Sequence, residues 1–328
     1  MNIALIGCGG WGRNLARNLH EIGALGYVVD PSDAARELAA SFGVEHRPEY
    51  EDVLRDPAID GVMIATPAVT HFDIASAALN ASKGVFVEKP IALNTKHGRA
   101  LSALAQEQGQ VLMVGHLLQY HPVFIALKAL VEADTLGPVG YISSSRASLG
   151  KVRTEENVIW SFSPHDISMV LALAGTMPEA VSAHATYFLP QDIADIGTVH
   201  LRWANGLRAD ITASWLSPAK EQKLTVTGSR ATAVFSDTET WNDKLKLHHN
   251  SVKQMDGVPR AVSDGIEVVP VEPGEPLRNE VVHFLDCLAI KARPRTDGEE
   301  ATRVLAVLQC AEASLAADNS WISVARYL

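Results

Sequence analysis

The stretch that most constrains the fold is the opening one, NIALIGCGGWGRNLARNLHEIG. A short apolar run passes through a cluster of glycines into a segment where Leu15, Leu19 and Ile22 recur at helical spacing. Strand, tight turn and helix in that order form the first half of a βαβ unit. The pattern then repeats. Apolar or β-branched runs at ALGYVVD, GVMIATP, GVFVEKP and QVLMVGH are separated by helical stretches, one of which carries Ile74, Ala78 and Ala81 on a single face. Parallel strands need crossover connections, so this alternation predicts an α/β domain with a doubly wound parallel sheet, a Rossmann domain, over residues 1–118.

Beyond Pro122 the texture changes. A helix is expected over residues 123–133, then a strand at VGYISSSRASL and a helix over 164–174. TVHLRWANGLRADITASWL alternates apolar and polar residues on both sides of Asn205-Gly206, a strong hairpin signal. KLTVTGSRATAVFS repeats the idea around Gly228-Ser229, and EAVSAHATYFL supplies a preceding strand. Residues 119–328 therefore read as an α+β domain with a large, mostly antiparallel open sheet, one face covered by the 164–174 helix. Two helical patterns, LRNEVVHFLDCLAIKA and GEEATRVLAVLQCAEASLA, close the chain.

The 328 residues are 47% hydrophobic, which is ample for two buried cores. A formal charge of −10 argues against binding nucleic acid or an anionic membrane surface. Cys8, Cys287 and Cys310 are odd in number and far apart, so they write neither a disulfide framework nor a metal site. The first strand begins without a basic leader, and no apolar run approaches the roughly 20 residues that span a bilayer. The expectation is a cytoplasmic protein with no metal.

The chemistry-bearing positions are read from the strand ends. Gly7, Gly9 and Gly12 form GxGxxG, with Gly10 and Trp11 between them, at the turn from first strand to first helix. Such glycines let a backbone approach a pyrophosphate at a helix N-terminus. Asp30, 18 residues past Gly12 and at the end of the second strand, suits the ribose hydroxyls of an adenosine and repels a 2′-phosphate, which favours NAD over NADP. Thr66-Pro67, Glu88-Lys89-Pro90 and His116 end later strands. Ligands of a doubly wound sheet bind off its carboxyl ends, so all these residues are expected along one edge, with Lys89 toward the nicotinamide. Taken singly, a glycine-rich turn needs no ligand, and a lysine at a loop tip is by default a solvated charge. Their convergence on one edge favours the binding site.

GCGGWG, ATPAVTH, VEKPIALN, GHLLQYHP and WSFSPHDIS, in this order and spacing, resemble the Gfo/Idh/MocA family of NAD(P)-dependent sugar and cyclitol oxidoreductases over essentially the whole chain. The resemblance implies oxidation of a ring hydroxyl or reduction of a ring ketone, and an open second-domain sheet that joins copies into dimers or tetramers. By position, Lys89 matches the family's lysine beside the reacting hydroxyl and His165 its general base. His71 falls near the cofactor edge or caps a helix, and His116 and Tyr120 fall beside the cleft entrance. Two residues depart from the family's pattern. Ser161 stands four residues before His165, where many members have aspartate, and Gln119 stands where arginine is more usual.

Ser163-Pro164-His165-Asp166 also has the chemistry of a helix start: Ser163 as cap, Pro164 in first position and Asp166 completing a capping box. His165 is then either a structural residue of a first helical turn or a base held neutral by the helix terminus. His248-His249 reads as a polar turn. GKVRTEENVIWSFSPHDIS most resembles members that oxidise carbon 3 of UDP-N-acetyl sugars ahead of an aminotransferase in lipid A or cell-surface sugar biosynthesis. That likeness makes Lys151 and Arg153 candidates for the diphosphate and Trp160, Ser161 and His165 candidates for contacts to the sugar. The alternatives are a dehydrogenase of the corresponding uronate, an inositol or free-sugar dehydrogenase, and a non-catalytic NAD-responsive binding protein.

Overall fold

The computed structural model describes residues 1–150, 152–189 and 193–328, with residues 250–254 described by their backbone. The chain divides into two compact units, Met1–Tyr120 with Glu275–Leu305 and His121–Gly274 with Ala306–Leu328.

In chain order the first stretch contains β1 (Ile3–Ile6), α1 (Gly12–Ile22), β2 (Leu25–Val29), α2 (Asp33–Phe42), β3 (Glu45–Arg47), α3 (Tyr50–Leu54), β4 (Gly61–Ile64), α4 (His71–Asn80), β5 (Gly84–Glu88), α5 (Thr95–Gln108) and β6 (Leu112–Gly115). The second stretch contains α6 (Pro122–Glu132), β7 (Val139–Leu149), α7 (Val158–Ala174), β8 (Ala180–Thr186), β9 (Ile196–Arg202), β10 (Arg208–Ser214), β11 (Leu216–Gly228), β12 (Thr232–Ser236), β13 (Leu245–Met255) and β14 (Val258–Val268). α8 (Pro276–Ile290), α9 (Gly298–Ala316) and β15 (Ile322–Ser323) follow.

The first unit is built on a parallel sheet of order β3-β2-β1-β4-β5-β6. Strands covered on both faces are apolar throughout, and β1 and β4 are buried at every position. β3 was not among the expected strands: EHR is short and polar, an edge strand with no hydrophobic run to announce it. α8 returns to this unit, where Leu277, Val281, Phe284 and Cys287 join a core with Leu5, Met63 and Phe86. A division at residue 118/119 therefore misplaces residues 275–305, because their apolar face is buried against the parallel sheet.

The glycine turn is set by close packing. Gly7 has φ +91°, and a Cβ there would lie 2.7 Å from the backbone of Ala65 and Thr66. A Cβ on Gly12 would lie 2.2 Å from the Gly7 carbonyl oxygen. Nothing lies within 4 Å of the corresponding positions on Gly9 and Gly10.

The second unit is a nine-stranded sheet of order β14-β13-β12-β11-β7-β10-β9-β8-β15. It is antiparallel except where β10 runs parallel to β7. One face buries Ile142, Ser144, Val199, Ala209 and Ile211, and α7 packs against β7, β9 and β10. The opposite face carries Ser143, Ser145, Thr198, His200, Asp210 and Thr212 around a hollow of about 400 Å³. The Asn205-Gly206 hairpin forms as expected, with Gly206 at φ +95°. A further hairpin, β13 to β14, turns on Asp256 and Gly257, both at positive φ. Its first strand corrects the expected polar turn at His248-His249, since both histidines lie in β13, where His249 meets Glu267 at 3.2 Å.

Gly12→Ala should lower the stability of the fold by about 1–3 kcal/mol through overpacking. Gly9→Ala, which meets open space, should leave the unfolding midpoint within a degree or two and weaken NADH binding. Thermal unfolding and NADH fluorescence titration of the two variants check this.

Candidate active site

The carboxyl edge of the parallel sheet brings the expected cofactor residues of the first unit together. α1 starts with no side-chain cap and no acid in its first turn, and although Arg13 and Asn14 give their N–H groups to the Gly9 and Trp11 carbonyls, the terminus keeps its positive dipole end uncovered by any carboxylate of its own. Open space above Gly9 and Gly10 gives a pyrophosphate room to reach it. Asp30 takes its place beside this turn: its Oδ2 accepts from the Cys8 backbone N–H at 2.8 Å and its Oδ1 from that of Ser32 at 2.9 Å. Partial burial pushes its carboxyl up, but the hydrogen bonds from Ser32 and Cys8 win and hold it below the usual carboxylate range. An ionised carboxylate beside a glycine turn and an open helix terminus fits the ribose and pyrophosphate of a dinucleotide.

The next two strand ends are tied to each other. His71 begins α4 but does not cap it; it is 1% exposed, with Nδ1 at 2.7 Å from the Pro90 carbonyl and Nε2 at 2.9 Å from the Thr66 carbonyl. Burial holds this imidazole below its usual pKa against the two carbonyls, which favour the charged form. Both ring nitrogens are committed to backbone, so His71 acts on the edge by holding its loops. The Thr66 hydroxyl pairs with that of Thr70 at 2.7 Å, and Pro67 between them is exposed. Glu88 accepts from the Trp11 indole at 2.5 Å and from the Lys89 backbone N–H at 3.2 Å, which closes a ring from the glycine turn to the Lys89-Pro90 segment. The Lys89-Pro90 peptide bond is cis.

Beneath this edge lies a residue that the sequence reading missed. Glu280 of α8 is fully buried, and neither of its carboxylate oxygens has a hydrogen-bond partner among the described residues. Burial, together with the charge of Glu88, pushes its carboxyl well above the ordinary range. Glu88 itself is pushed up to about 7, chiefly by desolvation. The available signal was a charge at helical spacing on an apolar face, between Leu277 and Phe284.

His116 and Tyr120 correct their expected place beside a cleft entrance. Each is 2% exposed. His116 Nδ1 meets Glu300 at 2.6 Å, and the Tyr120 hydroxyl meets that of Thr296 at 2.9 Å, so both polar groups are satisfied inside the unit.

In the second unit α7 overturns the expected helix start. The cap is Asn157, whose side chain accepts from the Trp160 N–H at 3.1 Å, and the helix begins at Val158 rather than at Pro164. Pro164 lies inside the helix, Ser163 is fully buried with no hydrogen-bond partner for its hydroxyl among the described residues, and Asp166 faces β7 instead of capping. Burial of Val158, Ile159, Ile167 and Val170 offsets the rung that the proline removes. His165 therefore stands two turns inside the helix, and the argument that a helix terminus keeps it neutral does not apply, because that field fades within the first turn. It is half-buried, with buried Ser161 one turn before it and half-buried Trp160 nearby in the chain. Arg153 lies in the connection before α7 and meets Glu156 at 3.7 Å. Lys151 lies outside the described residues.

Two polar anchors around α7 were also missed. Asp166 accepts from Arg146 Nε at 2.6 Å and from the Ser144 hydroxyl at 2.6 Å. Asp195, 1% exposed, accepts from the Trp215 indole at 2.6 Å and from the backbone N–H groups of Phe188 and Leu189. No described helix is long and apolar enough to cross a membrane.

Comparison with known proteins agrees with this geometry. Residues 1–116 match the GFO_IDH_MocA oxidoreductase family, NAD-binding Rossmann fold, and residues 124–234 match the GFO/IDH/MocA C-terminal domain. The chain is 31% identical over 310 residues to UDP-N-acetylglucosamine 3-dehydrogenase of Acidithiobacillus ferrooxidans, an alignment that covers 93% of this chain and 94% of that protein. It is 26% identical over 337 residues to scyllo-inositol 2-dehydrogenase (NAD(+)) of Bacillus subtilis, over 97% and 93% of the two. A solved structure of the Acidithiobacillus enzyme superposes with a TM-score of 0.83 at 30% identity, over 96% of this chain and 98% of that one.

The two raised carboxyls set a pH dependence. A group whose folded pKa lies above its unfolded value contributes stability that is present below the unfolded value and is lost as pH rises through the folded one. For Glu88 that window runs from about 4.5 to about 7, and for Glu280 it extends upward from about 4.5. Glu280→Gln, which keeps the shape and removes the ionisation, should stabilise the protein by about 2 kcal/mol at pH 8 and by little at pH 5. Chemical denaturation at both pH values measures this, and equal effects would contradict it.

Proposed function

The chain belongs to the GFO/IDH/MocA family of oxidoreductases, and we propose that it oxidises the 3-hydroxyl of UDP-N-acetylglucosamine to a ketone with NAD as acceptor. The observation that carries this reading is the 31% identity to the Acidithiobacillus 3-dehydrogenase along 93% of the chain. A dinucleotide is held by the N–H groups at the start of α1 over Gly9 and Gly10, by Asp30 at its ribose, and by the Thr66-Pro67 and Glu88-Lys89 segments along the edge. Bound NAD supplies the hydride acceptor.

The chain's own residues manage the proton and the charge. As C3 is oxidised the hydroxyl O–H bond gives its proton to the imidazole of His165, and bound NAD would take up the hydride from C3. The Lys89 ammonium stabilises the negative charge that develops on that oxygen. Ser161 places a neutral hydroxyl one turn before His165, so the base works without a carboxylate at that position. Arg153 and Lys151 are assigned to the diphosphate and Trp160 to the sugar. His116 and Tyr120 leave the substrate contacts and support the edge from below.

The 3-keto product is a substrate for transamination, which places the reaction ahead of an aminotransferase in cell-surface sugar synthesis such as that of lipid A, in the cytoplasm. The polar open face of the nine-stranded sheet is assigned to a homo-oligomer interface, that of a tetramer. A second reading, an inositol dehydrogenase, draws on the 26% identity along 97% of the chain to the Bacillus scyllo-inositol enzyme.

The test follows NADH formation with UDP-N-acetylglucosamine, its uronate and the inositols, with an aminotransferase and amino donor present to remove the ketone. Turnover is expected on UDP-N-acetylglucosamine, with Lys89→Met and His165→Asn each lowering kcat/KM by about 10²- to 10⁴-fold while NADH still binds. Turnover on an inositol or the uronate alone overturns the substrate. Binding of NADH without oxidation of any sugar points to a non-catalytic protein.

A further inference from the structure

α7 has a weak point immediately before His165. Pro164 has no N–H to give to the Trp160 carbonyl, so the helical ladder lacks the rung that would fix the turn leading into the histidine. The next residue restores the constraint from outside the helix. Asp166 is 1% exposed, and its carboxylate is gripped side-on by Arg146 of β7, with Nε at 2.6 Å from one oxygen and Nη2 at 3.2 Å from the other. The Ser144 hydroxyl, also from β7, adds a third donor at 2.6 Å.

β7 is a firm base for this grip, because it lies inside the sheet between β10 and β11. Arg146 is in turn oriented: with the Gln222 amide assigned so that its oxygen faces Arg146, it accepts from Nη1 at 3.2 Å and donates to Asp237 at 3.2 Å. Asp237 is anchored by Lys244 and by His121 at 3.4 Å.

We propose that Arg146 is a positioning residue for His165, its side-on pair with Asp166 fixing the rotational phase of α7 just past the proline. The proposal rests on the reading of His165 as the base. A buried ion pair is weak evidence for stability, since a well-packed apolar pair of similar volume serves as well or better, so its use has to be sought in the geometry it imposes. Consecutive helical residues point about 100° apart, so holding Asp166 against β7 also sets the direction of His165. With the imidazole tip about 6 Å from the helix axis, a roll of about 10° moves it about 1 Å. A misplacement of that size is enough to cost about a hundredfold in rate.

The test replaces the polar grip by an apolar one, Arg146→Met with Asp166→Leu and Ser144→Ala, which leaves no charge stranded. Single neutralisations would bury an unpaired charge and confuse folding with positioning. The triple variant should unfold cooperatively and bind NADH with unchanged affinity, with kcat down about tenfold or more and KM for the sugar nearly unchanged. Histidine-selective NMR gives a readout independent of substrate: the single sharp His165 resonance expected of the parent should broaden or split in the variant. Should the triple variant fail to fold, Arg146→Lys, which keeps the charge and loses the side-on geometry, carries the same two readouts. A His165 resonance that stays single and sharp in the folded variant overturns the proposal. If the parent oxidises no UDP-N-acetylglucosamine, the substrate reading fails, and the resonance still decides whether Arg146 positions His165.

Discussion

The cofactor edge depends on one buried imidazole. His71 stands between the Thr66 and Pro90 carbonyls, and through them it holds the loop after β4 and the loop after β5 at a fixed spacing. Its ring nitrogens lie 2.7 Å and 2.9 Å from the two carbonyls, and the nitrogen that carries the N–H donates to the carbonyl it faces. With those loops set, Glu88 can reach the Trp11 indole across the glycine turn, and Lys89 is held between a strand end and a proline. In the proposed reaction, a lysine restrained in this way would not have to be positioned anew at every turnover to stabilise developing charge.

The two units answer the same problem with different physics. In the first, glycines remove side chains so that backbone can approach backbone, and the loops that end the parallel strands are tied to each other through His71. In the second, a helix interrupted by proline lies on a mixed sheet, and its orientation is set by buried polar contacts to β7. The first arrangement tolerates little change at Gly7 or Gly12.

Much of the fold was legible because it rests on short-range signals. The glycine turn, Asp30, the alternation of strands and helices and the Asn205-Gly206 hairpin each depend on a few adjacent residues whose backbone demands are unusual. What escaped depended on packing at a distance. Ser163-Pro164 reads as a helix start because the same residues that cap a helix also occur within one, and the Asn157 cap and the burial of Val158 and Ile159 show that α7 is already under way. The return of residues 275–305 to the parallel sheet is invisible to a linear reading, since the apolar face of α8 names no partner. His116 and Tyr120 follow β6, the expected cleft side, but their side chains turn inward to Glu300 and Thr296. Two signals were present and unused: the Asp256-Gly257 turn and the charge of Glu280 on an apolar helical face.

In the proposed reaction the bond broken is C3–H of a UDP-N-acetyl sugar, and its hydrogen goes to NAD. The most direct measurement uses UDP-N-acetylglucosamine carrying deuterium at carbon 3, with the product NADH analysed by NMR or mass spectrometry. Deuterium at the nicotinamide C4 and a slower hydride-transfer step with the labelled sugar are expected. Unlabelled NADH, formed while the deuterium stays on carbon 3, would contradict it.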